Sequence, residues 1–116
     1  MEPNDGLFAI AFVVKNRAET QHKPICKVVW QSRQFSWTNH ALDGNNHLLK
    51  SYLPPNNNQW LQCKLIANMV ISGEIHDFTH GATHYYADYI RKPVWAKHMQ
   101  ETGKWGSHHF LKQYLT

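Results

Sequence analysis

The chain has 116 residues, of which 42% are hydrophobic and 17% charged, and this is the length and composition of one folded domain. Its net charge of +4 suits an anionic partner such as nucleic acid, a membrane surface or a bacterial wall polymer. The basic residues are scattered with no Lys/Arg block, so we expect no nucleic-acid partner. The longest apolar run, residues 7–14, is far shorter than the roughly 20 residues that cross a bilayer, so we expect no membrane insertion.

A first helix is predicted over residues 7–17. Periodicity alone allows a buried strand or a helix here, but the flanking residues favour the helix. Asn4 or Asp5 can cap its start, and Lys15 and Arg17 suit the last turn of a helix.

Two further helices are predicted. Pro24 can occupy the first turn of a short helix over residues 24–31. Residues 58–72 have the clearest helical pattern, and Gly73 is a suitable stop. Five apolar side chains form its two adjoining faces: Leu61, Leu65 and Met69 on one, Ile66 and Val70 on the other.

The last forty residues favour extended structure and turns. Residues 79–86 contain Thr and Tyr side chains typical of strands, and residues 109–111 predict a short final strand. Residues 93–99 predict one or two helical turns, while Gly103 and Gly106 are turn signals. The expected fold class is α+β, with helices followed by a small irregular β-sheet.

Neither the histidines nor the cysteines form a metal-binding motif. His76, His80 and His84 are spaced four apart, but Gly81 argues against the helix that would align them as zinc ligands. Cys26 and Cys63 stand alone in apolar runs, which favours buried thiols and leaves a single disulfide open. We expect no metal and no cofactor.

Four clusters of residues carry a family resemblance. They are FVVKNR at 12–17, QFSW at 34–37, DFTHGATHYY at 77–86 and GSHHF at 106–110. In this order and spacing they resemble the SleB/CwlJ-type cell-wall hydrolases, which are known from spore germination and are also used by bacteriophages. The resemblance runs from Glu2 to about Phe110, and the combination of QFSW with GATHYY is fairly specific.

The resemblance implies a lysozyme-like α+β fold and an enzyme that acts on peptidoglycan glycan strands. It implies cleavage of the MurNAc-β-1,4-GlcNAc bond by one acid/base glutamate, in the manner of a muramidase or of a lytic transglycosylase that leaves a 1,6-anhydro end. We expect a monomer that acts on the bacterial cell wall. Since no secretory signal precedes residues 7–14, we expect delivery by another factor or as part of a longer protein.

Glu2 is the catalytic candidate. The family keeps its glutamates in a Glu-Ala-x-Gly-Glu-Pro pattern, and Glu2-Pro3 matches the second of them. The first, which the resemblance implies to be the acid, would lie four residues earlier. We therefore expect a single hydrolase domain over residues 1–116 that is truncated at its N-terminus, unless Glu2 performs the work of the acid.

The substrate-binding candidates come from three clusters that we expect to line one groove. They are Gln34, Ser36, Trp37, Thr79, Thr83, Tyr85 and His108. Tyr85 and Tyr86 would lie on opposite faces of a strand, so at most one of them meets the substrate. Core packing for Trp37 and a structural hydrogen bond for His108 stay open as alternatives. Glu74 and Asp77 are the fallback carboxylates.

Two other functions stay open. A non-catalytic peptidoglycan-binding domain on the same fold would explain the missing first glutamate. A His-rich, metal-dependent hydrolase on another fold would explain the nine histidines.

Overall fold

The computed structural model describes residues 4–29 and 58–114, which form a helical layer followed by a small sheet. The elements in chain order are α1 (Asn4–Gln21), α2 (Ile25–Val29), α3 (Asn58–Ser72), β1 (His84–Ala87), a 3₁₀ helix (Val94–His98), β2 (Met99–Trp105) and β3 (His108–Gln113). β3 is the central strand of an antiparallel sheet and pairs with β1 on one side and β2 on the other. The predicted order of helices before sheet is confirmed.

The first helix is longer than predicted. α1 continues to Gln21, and His22 then adopts a left-handed backbone with φ +54°. The backbone N–H of Lys23 donates to the carbonyl of Ala18 at 3.0 Å, which closes the helix end. The assignment of Arg17 to the last turn was wrong, because this side chain is buried against the other half of the protein and does not mark a terminus.

α3 has its predicted bounds and packs against α1. Gly73 ends it with φ +83°, where Glu74 N–H donates to the carbonyl of Met69 at 3.2 Å. One of the two predicted apolar faces is buried, through Ile66 and Val70. The other is largely open, since Leu61 and Leu65 are more than half exposed. α2 also forms, with Pro24 just before its first residue.

The hydrophobic core lies between α1 and one face of the sheet. Ala9 and Val13 of α1 pack against Ala82 and Phe110, all fully buried. Four partly buried side chains extend this cluster: Ile10, Phe78, Tyr85 and Trp105. The face of the sheet that carries Tyr85 and Phe110 is therefore the inner face, and the face that carries Tyr86 and His109 is the outer face.

The second strand was not predicted. Gly106 does lie in the turn between β2 and β3, with φ +60°, but Gly103 lies inside β2 at an irregularity in the pairing. A Cβ atom at Gly103 would lie 2.6 Å from the ring of Trp105, so the glycine makes room for an aromatic side chain. Its role depends on this contact and not on a turn.

The 79–86 prediction was right only in its second half. Residues 77–83 form turns and irregular backbone, and the strand begins at His84. His80 and Gly81 both have positive φ, which a regular β-strand does not accommodate. In the described part of the chain, no helix is long and apolar enough to span a membrane.

Candidate functional site

Two polar side chains of α1 hold the irregular 77–83 segment in place. Asn16 Nδ2 donates to Asp77 Oδ2 at 2.9 Å and to the carbonyl of Ala82 at 3.0 Å. Arg17 Nε donates to the carbonyl of Thr83 at 3.0 Å, and a second nitrogen of the same guanidinium donates to the same oxygen. Arg17 is only 5% exposed, so a cation is buried beneath the start of β1.

Asp77 organises the turn that precedes β1. Its carboxylate accepts from Thr79 N–H at 2.8 Å, from Thr79 Oγ1 at 2.6 Å and from Gly81 N–H at 3.2 Å. Burial by itself would raise the pKa of Asp77, but the hydrogen bonds from Thr79, Asn16 and Gly81 outweigh burial and lower it. Asp77 is therefore an ionised structural carboxylate, poorly suited to donate a proton near neutrality.

Thr79 belongs to the same turn. Its side chain is fully buried, and its hydroxyl also accepts from the backbone N–H of Ala82 at 3.3 Å. This geometry makes Thr79 part of the support beneath the site, and its burial argues against direct contact with a substrate.

Tyr85 and His108 meet on the inner face of the sheet. Their ring centroids are 5.3 Å apart in an edge-to-face arrangement, and Tyr85 stacks on Phe110 at 5.8 Å. Burial raises the pKa of Tyr85, and the nearby Arg17 opposes that shift by favouring the phenolate. His108 is partly exposed. The structure thus brings together two of the predicted binding residues, from strands that are far apart in sequence.

Thr83 immediately precedes β1 and lies two residues before Tyr85. Its carbonyl is held by Arg17, and its hydroxyl oxygen lies 3.0 Å from His84 Nδ1. Burial, with a smaller contribution from Arg17, lowers the pKa of His84 to about 4. His84 is therefore neutral at physiological pH. That Thr83, Tyr85 and His108 line one side of a groove stays a prediction.

The other predicted site residues lie outside the described residues. They are Glu2, Gln34, Ser36 and Trp37. Their membership of the same groove stays a prediction, as does the catalytic role of Glu2.

Arg17 and Asn16 are the positions whose part in the site sequence reasoning missed, although both lie in the FVVKNR cluster. The sequence contains a signal that Arg17 is buried. Arg17 follows Ala9 and Val13 at four-residue spacing, so it continues their buried stripe along α1. An arginine on the apolar face of a helix requires a buried acceptor, and here that acceptor is the carbonyl of Thr83.

The spaced histidines do not share a helix face. His76 and His80 lie in the irregular segment before β1, and His84 opens the strand. Among the residues that the structure describes, no group of three or more His, Cys, Asp or Glu side chains is placed to hold a metal ion. Cys63 is a free thiol of intermediate exposure.

Comparison with known proteins identifies the fold and the family. The family model described as cell wall hydrolase matches residues 1–111. The chain belongs to the cell wall hydrolase family. This membership gives it an enzymatic role on the bacterial cell wall, whose load-bearing polymer is peptidoglycan. No curated protein matches the chain in sequence.

Two solved structures match this cell wall hydrolase over 96% of its length at 27% identity. One is the catalytic domain of the Bacillus cereus SleB protein, with a TM-score of 0.69 and 77% of that chain covered. The other is the catalytic domain of the germination-specific lytic transglycosylase SleB from Bacillus anthracis, with a TM-score of 0.70 and 81% covered. The predicted lysozyme-like α+β fold is confirmed.

Proposed function

We propose that this domain cleaves the MurNAc-β-1,4-GlcNAc bond of peptidoglycan glycan strands by the lytic transglycosylase route, with one acid/base glutamate. The observation that carries the proposal is the match to the SleB catalytic domains, one of which is described as a lytic transglycosylase. The match covers 96% of this chain, which includes α1 and the three strands of the sheet.

The chemistry requires a protonated carboxyl group near the leaving oxygen of the glycosidic bond. Apolar surroundings keep such a carboxyl protonated near neutrality. A second carboxylate is needed by ordinary glycosidases, but not when the 6-hydroxyl of the MurNAc residue attacks its own anomeric carbon. Of the two fallback carboxylates, Asp77 is ionised and hydrogen-bonded, and Glu74 is exposed beyond the end of α3.

Glu2 is the proposed acid if the 116-residue chain is active. In the sequence it stands two positions before Asn4, the residue at the N-terminal end of α1. The helix dipole favours an ionised carboxylate at this end and so opposes the role. Aromatic side chains of the groove would have to exclude water from Glu2 to compensate. A glutamate upstream of Met1 is the alternative source of the proton.

The proposed binding residues divide into two walls. Thr83, Tyr85 and His108 supply the wall on the sheet, where a hydroxyl, a phenol and an imidazole can meet sugar hydroxyls and amides. We assign the facing wall to the QFSW cluster, with Gln34, Ser36 and Trp37 as its contacts. Because Tyr85 is largely buried, we expect only the edge of its ring and its hydroxyl to reach the substrate.

The test is incubation with purified sacculi, followed by mass spectrometry of the released fragments. We expect soluble muropeptides that end in 1,6-anhydro-MurNAc, and we expect no loss of activity in chelator. Reducing-end products would mean hydrolysis in place of transglycosylation. Co-sedimentation without release would mean a binding domain, and loss in chelator with recovery in zinc would mean a metal site.

The acid is tested with Glu2→Gln and a matched control, Glu19→Gln, which changes an exposed glutamate on α1. We expect Glu2→Gln to abolish release and Glu19→Gln to leave it unchanged. A chain extended upstream with its native residues completes the design. If only the extended chain is active and Glu2→Gln costs it little, the acid lies upstream and Glu2 is not catalytic.

A further inference from the structure

The segment that joins β1 to β2, residues 89–98, is positively charged. Its sequence, YIRKPVWAKH, contains Arg91, Lys92 and Lys97 and no acidic residue, so its own net charge is +3. All three cations are exposed. None of them forms an ion pair within the described ranges 4–29 and 58–114. They are therefore available to an anionic ligand.

The same segment presents apolar side chains to solvent. Tyr89 is 81% exposed and Val94 is 74% exposed, and Ile90 and Trp95 are each more than two-fifths exposed. Four large apolar side chains within seven residues form a patch of the kind that marks a binding surface. Their position beside three cations in the same segment fits a ligand that has both apolar faces and negative charges.

The 89–98 segment is anchored on the rest of the fold. Ala96 is fully buried, and its N–H donates to the carbonyl of Pro93 at 3.0 Å. The ring of Trp95 packs against His84 at 5.4 Å and against Tyr86 at 6.2 Å, both on the outer side of β1. The exposed groups are thus displayed from a segment anchored on the sheet.

The acidic residues that border the segment are already engaged. Asp88 pairs with Lys104 at 3.0 Å, and Glu101 Oε1 lies 2.8 Å from His109 Nδ1. Neither carboxylate is paired with a cation of the 89–98 segment. The surface is consequently positive in net charge, although acids flank it in the sequence.

We propose that the 89–98 segment is a second binding surface for peptidoglycan, separate from the Tyr85–His108 wall, and that it holds the enzyme on the wall polymer. The cations would pair with the free carboxylates of the stem peptides, and Tyr89 and Trp95 would pack on the apolar faces of sugar rings. The surface lies on the outer side of the sheet, whereas Tyr85 and His108 lie on the inner face. A processive or repeated attack on an insoluble polymer benefits from such a second contact. The proposal rests on peptidoglycan as the substrate.

The test is co-sedimentation of the full chain, on ice, with sacculi from which phosphate-containing wall polymers have been removed. The triple variant Arg91→Gln/Lys92→Gln/Lys97→Gln is compared with Lys23→Gln/Lys27→Gln/Lys64→Gln, which removes the same charge from exposed helix-layer positions. We expect the first variant to need about tenfold more sacculi for half-maximal binding and the second to bind like the wild type. Thermal melting of both variants confirms that they fold.

A second pair of variants tests the apolar part of the surface. Tyr89→Ser should weaken binding about threefold, whereas Tyr114→Ser, which changes another exposed tyrosine, should not. Equal losses in the two charge variants would show non-specific attraction and overturn the proposal. Binding of the wild type that is lost when the phosphate polymers are removed would also overturn it. So would binding of the wild type to vesicles of phosphatidylglycerol in place of sacculi.

The outcomes also separate this inference from the proposed function. If the wild type neither binds nor cleaves stripped sacculi, the proposed function fails and the second surface fails with it. If the wild type cleaves and the 89–98 variant binds as tightly as the wild type, only the second surface is wrong.

Discussion

Tyr85 and Tyr86 are the same residue type at adjacent positions, yet they lie in opposite environments. Tyr85 faces inward, stacks on Phe110 and lies near the buried Arg17. Tyr86 faces outward and stacks on His109 at 4.9 Å under the edge of Trp95. Tyr85 is held by burial in the core beneath α1, and Tyr86 by ring contacts nearer the surface. We expect truncation of a buried core side chain on the inner face to cost more stability than truncation of a partly exposed ring on the outer face.

The sharpest test of this contrast compares Phe110→Ala with His109→Ala, two neighbours on β3. Phe110 is fully buried in the core, so its truncation should lower the free energy of unfolding by about 3–5 kcal/mol. His109 is partly exposed, and its loss should cost about 1 kcal/mol or less. Urea denaturation measures both. Similar losses for the two variants would contradict the division into inner and outer faces.

Arg17→Lys tests the buried link between α1 and β1. A lysine keeps the charge but presents one ammonium where the guanidinium donates two hydrogen bonds to Thr83, so we expect a loss of about 1–2 kcal/mol. Arg91→Lys, at an exposed arginine, is the control and should change the free energy of unfolding very little. If Arg17→Lys is equally silent, the guanidinium geometry is not what holds β1.

His84 lies on the outer side of β1 beside Trp95, and its titration should appear in the pH dependence of stability. Burial lowers its pKa to about 4 in the folded protein, below the ordinary value of 6.5. Between pH 6.5 and about 4 the unfolded chain therefore binds more protons at this residue, and stability falls as the pH falls. His84→Gln should flatten this slope in urea titrations at pH 7, 5.5 and 4.5, whereas His76→Gln, at an exposed histidine, should not.

The smallest effect is expected at the edge of the sheet. Lys104→Ala breaks the ion pair with Asp88, but half of the lysine side chain is exposed, so the loss should stay below about 1 kcal/mol. The effect should shrink further in high salt. A loss as large as that of Arg17→Lys would mean that surface ion pairs order the outer face.

Local chemistry was enough to predict the elements whose ends are marked in the sequence. α3 has its predicted bounds because Gly73 can adopt the left-handed backbone that closes a helix. The 3₁₀ helix after Pro93 and the turn at Gly106 follow for similar reasons. The family resemblance carried by the 77–86 and 106–110 clusters also led to the right fold, since these clusters supply β1 and β3.

Tertiary structure alone decided what the polar and glycine residues do. Arg17 and Lys15 both looked like residues at a helix end, but Arg17 is buried because Thr83, 66 positions away, offers it a carbonyl oxygen. Gly103 resembled a turn residue and is instead the space into which Trp105 packs. The 89–98 segment is basic in the sequence itself, but only the structure shows that its cations are exposed and that Trp95 packs against β1. A sequence reports the conformations that a segment favours, whereas a buried partner or a shared surface depends on distant residues meeting in space.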